Sequence, residues 1–356
     1  MRPGGHAPGR TAGTQRDQGP RRRAKRSFRM ADGRRRGAAW RVGIYLVTLW
    51  AVVTVVFFLP RVMPGDPLTA IREANSPLNS EDRAILEAHY NLDQPLLTQY
   101  GLYLSGLARR DMGLTIGGGA PVGQLIWNRL PWTLLLMGTS LAVSSAIGFA
   151  AGVSAAWRRG GRVDRRLLTV MTVLHAVPEY VLATALLLLF VVRVPLFPSA
   201  GAATPFTQSY GQLYKLADVG YHLVLPATAL TLGLLGTKFR LVRNTTISVL
   251  GQNYMVAARA KGVPERLLKR RHAGRNVLLP FLTVVGLQVA FAAGGSMFVE
   301  TVFQYPGMAS LMLPAIENLD FPLMEACFVM LAILVLTANL IVDLTYARLD
   351  PRVRTE

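Results

Sequence analysis

The sequence predicts an all-α polytopic membrane protein with six transmembrane helices and a small helical lobe after the first of them. Hydrophobic residues make up 51% of the 356-residue chain, yet it carries 39 lysines and arginines against 20 aspartates and glutamates. These figures are compatible because the apolar and charged residues are segregated along the chain. Several apolar runs approach or exceed the roughly 20 residues with which a helix crosses a bilayer core.

The boundaries of the predicted elements follow the alternation of apolar and polar stretches. The first segment is rich in glycine, proline and arginine, so we predict that it is disordered. In the lobe, helix-start signals such as Ser80–Asp82 ahead of Ile85 predict one or two short helices. The predicted elements are a basic tail at 1–41, spans at 42–59, 132–157, 167–192, 222–243, 277–302 and 322–347, the lobe at 60–131, a loop at 193–221, a basic segment at 247–279, a short segment at 303–321 and a tail at 348–356.

The distribution of basic residues orients the six spans. The two termini, the turn after the second span and the stretch from Lys238 to Leu279 together contain 31 lysines and arginines, whereas the alternate connections contain 8. By the positive-inside rule, this asymmetry places both termini and the basic segment in the cytoplasm. The lobe, the loop at 193–221 and the segment at 303–321 are then extracytoplasmic.

Two spans contain residues of special interest. In the second span, Gly148 and Gly152 form a small-residue pair that permits close approach of another helix. In the third span, His175 and Glu179 lie one helical turn apart and flank Pro178. Ionisable residues at membrane depth indicate a functional site, although a kinked helix can also hold such a pair as an internal hydrogen bond. The sequence leaves both interpretations open.

The motif content argues against several classes of function. The chain contains no Gly-x-x-x-x-Gly-Lys-[Ser/Thr] phosphate loop, no dinucleotide-binding glycine pattern and no hydrolase motif. Its five histidines are not at metal-ligand spacing, and Cys327 is the sole cysteine. Nucleic-acid binding is disfavoured because the basic residues flank apolar runs without interleaved aromatic residues. We therefore predict no catalytic residue, bound cofactor or metal site in this chain.

The stretch from Asn253 to Pro280 has the features of a docking element. Ala257 and Ala258 form a smooth helical face, and Gly262 followed by Pro264 breaks the helix. A proline and an acidic residue then open a second, basic helix. On physical grounds, such a pair of helices suits either anionic lipid or a protein partner.

The same stretch resembles the EAA loop of ABC importer permeases, specifically the dipeptide, oligopeptide and nickel branch. Val256 occupies the position where the general family pattern has glutamate, and this branch often departs from that pattern. The resemblance extends over roughly 40–354. The matching residues include Pro64–Pro67, Leu92–Pro95, Asp111–Gly113, Leu225–Ala227, Tyr254, Ala258–Gly262, His272, Arg275–Asn276, Leu279–Pro280, Gly286–Gln288, Glu300–Phe303, Tyr305–Gly307, Asp320–Pro322 and Asp350–Arg352.

The resemblance implies a type I ABC importer permease fold and a multi-pass protein of a bacterial-type cytoplasmic (inner) membrane. The implied partners are a second permease subunit, two cytoplasmic ATPase subunits that bind ATP and Mg²⁺, an extracytoplasmic solute-binding protein and membrane lipid. Hydrolysis would belong to the ATPases, so this chain is not expected to be an enzyme. The implied solutes are di- or oligopeptides, with nickel or glutathione as alternatives.

The resemblance also assigns roles to residues. Gly262 would form the turn between two coupling helices, with Ala257 and Ala258 as their packing face. The full coupling set is Tyr254, Ala257, Ala258, Arg259, Lys261, Gly262, Pro264, Arg271 and Arg275. The residues expected to face the external gate or the binding protein are Glu300, Tyr305, Pro306, Gly307 and Asp320.

Two functions of other classes are weaker alternatives. A secondary transporter would show an inverted repeat and membrane-buried acids poised for ion coupling, and no repeat is detectable between the two halves. A membrane-embedded hydrolase would need a nucleophile and base or a metal triad at membrane depth, which His175 and Glu179 alone do not supply.

Overall fold

A computed structural model of the chain describes residues 20–65, 68, 80–116, 118–206 and 210–349. It contains two compact units, Met1–Val47 and Thr48–Glu356. The described residues contain no β-strand. The helices are α1 (Pro20–Val62), α2 (Ser80–His89), α3 (Leu96–Ala108), α4 (Val122–Trp157), α5 (Arg162–Ala176), α6 (Glu179–Leu187), α7 (Gln212–Leu250), α8 (Asn253–Ala260), α9 (Glu265–Leu267), α10 (Gly274–Val302), α11 (Ala309–Glu317) and α12 (Phe321–Leu349), with π-helical turns at Leu188–Arg193 and Leu268–Ala273.

The predicted all-α membrane architecture is confirmed. Among the described residues, five helices are long and apolar enough to cross a membrane, and α5 with α6 makes a sixth span if this bent pair is counted as one. The lobe holds α2 and α3, in agreement with the expected one or two short helices.

The first predicted element differs from the structure. Instead of a disordered tail to residue 41, the described part is helical from Pro20 and continues into the first span. Arginine, alanine and lysine are good helix formers, and extension of an existing helix avoids the cost of nucleating a new one. Residues 1–19 lie outside the described residues.

The third predicted span is not one continuous helix. α5 and α6 meet at an angle of 97°. The break lies at Val177, whose backbone is extended (φ −89°, ψ 125°), directly before Pro178. Proline disfavours the helical conformation of the residue before it and has no backbone N–H, so the ladder of hydrogen bonds ends here.

Other helix ends also differ from the predicted boundaries. α4 begins at Val122 rather than at residue 132, and α7 runs from Gln212 to Leu250 rather than from 222 to 243. Apolar composition locates the part of a helix inside the bilayer, whereas the helix itself continues where backbone hydrogen bonds and tertiary packing support it. The segment at 303–321 contains α11, which the sequence did not predict.

Helix α7 is central to the packing of the second unit. It packs most extensively along α4 and also contacts α5, α6 and α10. Two glycines of α4 allow this approach, since a Cβ at Gly148 would lie 2.9 Å from Lys238 Cβ and one at Gly152 would lie 2.8 Å from Val242 Cβ. The close approach predicted from these glycines is therefore present.

The two ends of this bundle differ in composition. We call the end with the α4–α5 turn, α8 and α9 the basic end, and the end with α2, α3 and α11 the lobe end. At the basic end, Arg243 of α7 forms a bidentate ion pair with Asp164 of α5, with N–O distances of 2.7 and 2.8 Å. This pair fixes the start of the bent span against the central helix.

Candidate functional site

The two short helices at the basic end are separated at the position that the sequence predicts. Gly262 has a positive φ of 75°, a conformation that favours glycine. Its N–H donates to the Arg259 carbonyl at 2.9 Å, and Pro264 then caps the start of α9. Gly262 is exposed, and a Cβ built on it would meet no atom within 4 Å. The backbone conformation, rather than crowding, therefore requires glycine here.

The inner face of this helix pair is anchored to the bundle. Met255, Leu268 and Ala273 are buried together. Partly buried side chains pack around them, namely Trp157, Val249, Leu250, Ala258 and Val263. The pair thus has a small apolar core of its own, and burial of that core holds its outer face in a defined orientation.

Polar contacts fix the edges of the helix pair. Asn276 donates a hydrogen bond to the Tyr254 hydroxyl at 2.5 Å, which joins α8 to α10. Trp157 Nε1 donates to Glu265 Oε2 at 3.4 Å, and the Arg259 guanidinium lies 5.8 Å from the Trp157 ring centroid. The last residue of α4 therefore contacts both helices of the pair.

The outer face combines apolar and basic side chains. Val256 is 59% exposed and Leu267 is 43% exposed, although both are apolar. Other exposed residues of this face are Tyr254, Ala257, Arg259, Lys261, Gly262 and Pro264. We call this set, with Val256 and Leu267, the docking face.

Most of the residues predicted for coupling lie on the docking face, with one difference. Ala258 turns inward and packs against the buried cluster, whereas Ala257 is exposed. Only one of the two alanines is thus free to contact a partner, because adjacent helical positions point about 100° apart. The side chains of Arg271 and Arg275 lie outside the described residues.

The segment at the lobe end is held by a buried carboxylate. Glu300, 1% exposed, accepts hydrogen bonds at 2.8 Å from Thr133 Oγ1 of α4 and from the backbone N–H of Ala309. The Thr133 hydroxyl in turn accepts from the Met308 N–H at 2.8 Å. A Cβ at Gly307 would overlap the Glu300 carboxylate, so this approach requires glycine. The turn expected at Pro306 and Gly307 is therefore folded onto α4.

Tyr305 and Asp320 are internal contacts of the same region. Tyr305 is fully buried with its ring perpendicular to that of Trp132, and burial raises the pKa of its phenol to about 12, with a further contribution from the Glu300 charge. The phenol is therefore uncharged at neutral pH. Asp320 accepts from the backbone N–H groups of Ile116 at 3.0 Å and Leu323 at 3.2 Å. This bridge links the lobe to the start of α12.

The structure shows where these side chains lie, and their assignment to an external gate or a binding protein stays a prediction. Glu300, Tyr305, Gly307 and Asp320 are buried within this chain, and Pro306 is partly buried. Their contacts stabilise the segment from inside the chain. A tightly folded internal segment also requires such residues, namely a carboxylate for its backbone N–H groups, a buried aromatic ring and a glycine at the close contact.

Comparison with known proteins defines the family. The sequence from 148 to 355 matches the family model described as binding-protein-dependent transport system inner membrane component, which is more than half of the chain. The chain belongs to this family. With its apolar helices, it is accordingly a multi-pass inner membrane protein.

Several named permease proteins are similar over almost their whole length. The oligopeptide transport system permease protein AppB of Bacillus subtilis is 33% identical, covering 86% of this chain and 95% of AppB. The dipeptide transport system permease protein DppB of the same organism is 32% identical, covering 86% and 94%. The glutathione transport system permease protein GsiC of Escherichia coli K12 is 32% identical, covering 86% and 95%.

A solved structure supports the fold. An inward-facing conformation of the MetNI methionine ABC transporter superposes with a TM-score of 0.53 at 18% sequence identity, covering 65% of this chain and 98% of the matched chain. At this identity the likeness concerns the fold alone. The type I ABC importer permease fold expected from the sequence is confirmed.

Sequence reasoning missed an ion pair and a buried lysine of this inner membrane component. Arg61, at the end of α1, pairs with Glu325 of α12 and also donates to Gln99 of α3 at 3.1 Å. Lys238 of α7 is fully buried and donates to Ser144 of α4 at 2.5 Å. Arg61 and Glu325 each lie near the lobe end of an apolar run. Two opposite charges at the same end of two spans were the sequence pattern that could have indicated this ion pair.

Proposed function

We propose that this chain is the permease subunit of an ATP-driven importer of di- or oligopeptides. It would form half of the translocation pathway and couple it to ATPase subunits by alternating access. The docking face carries this proposal, because it presents exposed apolar residues on a rigid support at the end of the membrane bundle. Apolar side chains such as Val256 and Leu267 are expected to be covered in the assembled protein.

The proposed assembly contains a second permease subunit, two ATPase subunits and a solute-binding protein. The basic end would lie in the cytoplasm with both termini, as the excess of lysine and arginine there indicates. ATP and Mg²⁺ would be bound by the ATPases, so hydrolysis would occur outside this chain. Closure of the ATPases would move the docking face, and α8 and α9 would transmit this movement to α7 and α10, which flank them.

The peptide assignment is supported by the relatives named for oligopeptide and dipeptide transport. Glutathione is the second candidate solute, since a permease named for glutathione transport is similar at nearly the same identity. Glutathione is itself a small peptide, so both candidates share the terminal charges and amide groups that a pathway would recognise.

Co-purification with the ATPase subunits of the same importer tests the docking face. Val256→Asp places a charge on its exposed apolar part and is expected to lower ATPase recovery roughly tenfold, as loss of a central interface residue does. Folding should be unaffected because Val256 lies outside the buried cluster. Val163→Asp, on α5 at the basic end, is the matched control with an exposed valine.

The two interpretations of the docking face give different results in this experiment. Equal ATPase recovery with the native chain and Val256→Asp would overturn the docking assignment and favour contact with anionic lipid. Loss of ATPase recovery in both valine variants would show a general effect of charge at this end of the bundle. That result would also contradict the docking assignment.

A further inference from the structure

Glu179 lies at the bend between α5 and α6 and is packed between two other spans. A Cβ at Gly233 of α7 would lie 2.5 Å from Glu179 Cγ, and one at Gly295 of α10 would lie 3.5 Å from Oε1. The absence of a side chain at Gly233 makes room for Glu179, and Gly295 lies in van der Waals range of the carboxylate. Gly233 is near the middle of the fourth span, so the carboxylate lies close to the centre of the membrane.

This carboxylate has no partner in the described part of the chain. It makes no hydrogen bond or ion pair there, and the hydrogen bond to His175 that the sequence left open is not formed. Glu179 is half-buried, so a ligand can reach it. A carboxylate at membrane depth is costly unless a cation or donor compensates it, and such residues mark substrate pathways.

The surroundings of Glu179 favour an ammonium group. Tyr180 of α6 and Phe298 of α10 are both more than half exposed, and their ring centroids lie 6.3 Å apart. Phe298 is three residues after Gly295, so it lies on the same face of α10 as the contact with Glu179. Aromatic faces attract cations, and a carboxylate accepts charge-assisted hydrogen bonds from N–H groups. Divalent metal ions instead take several oxygen or nitrogen ligands.

We propose that Glu179 binds the terminal ammonium group of the transported peptide, with Tyr180 and Phe298 beside it. This inference rests on the proposed import of peptides, because it assigns a specificity-determining residue to their pathway. A peptide with a free amino terminus supplies the cation that the described residues do not place beside Glu179. Blocking that terminus removes the interaction and leaves the rest of the peptide unchanged.

The test compares binding of alanyl-alanine and N-acetyl-alanyl-alanine to the purified full chain in lipid nanodiscs, without the solute-binding protein. The native chain is expected to bind the free-amine peptide at least about tenfold more tightly, the contribution of a charge-assisted hydrogen bond. Glu179→Gln should remove this difference, and Glu179→Asp should retain part of it. Glu87→Gln, which removes an exposed carboxylate of α2, should behave as the native chain does.

The inference would be overturned if the native chain bound both peptides equally or bound neither. It would also be overturned if Glu179→Gln still preferred the free-amine peptide, or if Glu87→Gln lost that preference as well. ATP-driven uptake of alanyl-alanine by the native chain with its partners is measured separately. Failure of that uptake contradicts the proposed function. Normal uptake without any effect of Glu179→Gln on discrimination contradicts only the role of this residue.

Discussion

Glu300 shows how a single side chain determines the path of the backbone at the lobe end. Its carboxylate joins Thr133 of α4 to the first residue of α11, although these residues are far apart in the sequence. Both oxygens accept a hydrogen bond, so the buried charge is compensated by two donors. The segment after α10 is therefore fixed from inside the protein.

Replacing Glu300 by alanine should destabilise the chain by roughly 2 to 4 kcal/mol, because the Thr133 hydroxyl and the Ala309 N–H lose their buried acceptor. Denaturation of the purified protein in detergent measures this effect, and limited proteolysis should show earlier cleavage between α10 and α12. Glu317→Ala, which removes an exposed carboxylate of α11, is the control and should leave stability unchanged. Equal stability of both variants would contradict the role given to Glu300.

The burial of Glu300 also shows what could not be predicted from the sequence. The turn at Pro306 and Gly307 was evident from local chemistry. That the neighbouring glutamate is buried depends on Thr133, which lies in another span, and no local pattern reports such a contact. The turn between α8 and α9 was more predictable because Gly262 and Pro264 act through the local backbone, which the sequence specifies directly.

Between helices, the ion pair of Arg61 and Glu325 joins the end of α1 to α12. Arg61 also lies over the Phe57 ring, 3.6 Å from its centroid, and Glu325 is 4% exposed. The Glu325 carboxylate is thus removed from water and Arg61 is partly buried, so the carboxylate depends on the guanidinium for compensation.

Removing one member of this ion pair should lower the stability of the protein more than removing both members. We expect Arg61→Met and Glu325→Leu each to lower stability by roughly 3 to 5 kcal/mol, and the double variant to recover most of that loss. A double-mutant cycle of denaturation measurements gives the coupling. The exposed pair Arg83 and Glu87 on α2 is the control, with an expected coupling below about 0.5 kcal/mol. Additive effects of Arg61→Met and Glu325→Leu would refute a direct pairing.

The close packing of α4 against α7 predicts how substitutions of glycine in α4 affect stability. Gly152→Leu would push against Val242 and should cost roughly 1 to 3 kcal/mol through overpacking. Gly138→Leu on the same helix, where a Cβ meets no atom within 4 Å, should cost much less. Thermal unfolding of the two variants provides the comparison. A similar loss of stability in both would show that the close approach of the helices is not what requires glycine at 152.

Helix types and approximate positions were predictable because the bilayer requires long apolar helices. Their ends were not, since α4 and α7 extend past their apolar parts. The bend in the third span had a local signal in Pro178, but proline within a helix does not always break it. Pro131 and Pro226 lie inside α4 and α7 without interrupting either helix, so tertiary contacts decide which proline ends a helix.

The chain as a whole combines a rigid docking face at one end, a half-buried carboxylate within the membrane and a folded segment at the other end. This arrangement suits a subunit that converts movement of an external partner into opening of a pathway. It contains no phosphate loop in its sequence, so the proposed energy source is a partner ATPase.

The proposed ATP-driven import can be measured as uptake of alanyl-alanine into proteoliposomes. The vesicles contain the chain with its second permease and ATPase subunits, and the solute-binding protein is added outside. We predict uptake that requires ATP inside the vesicles and is lost in Gly262→Leu, since leucine rarely adopts a φ near 75°. Uptake driven by a proton gradient in vesicles that contain this chain without any ATPase would contradict the proposed ATP-driven import.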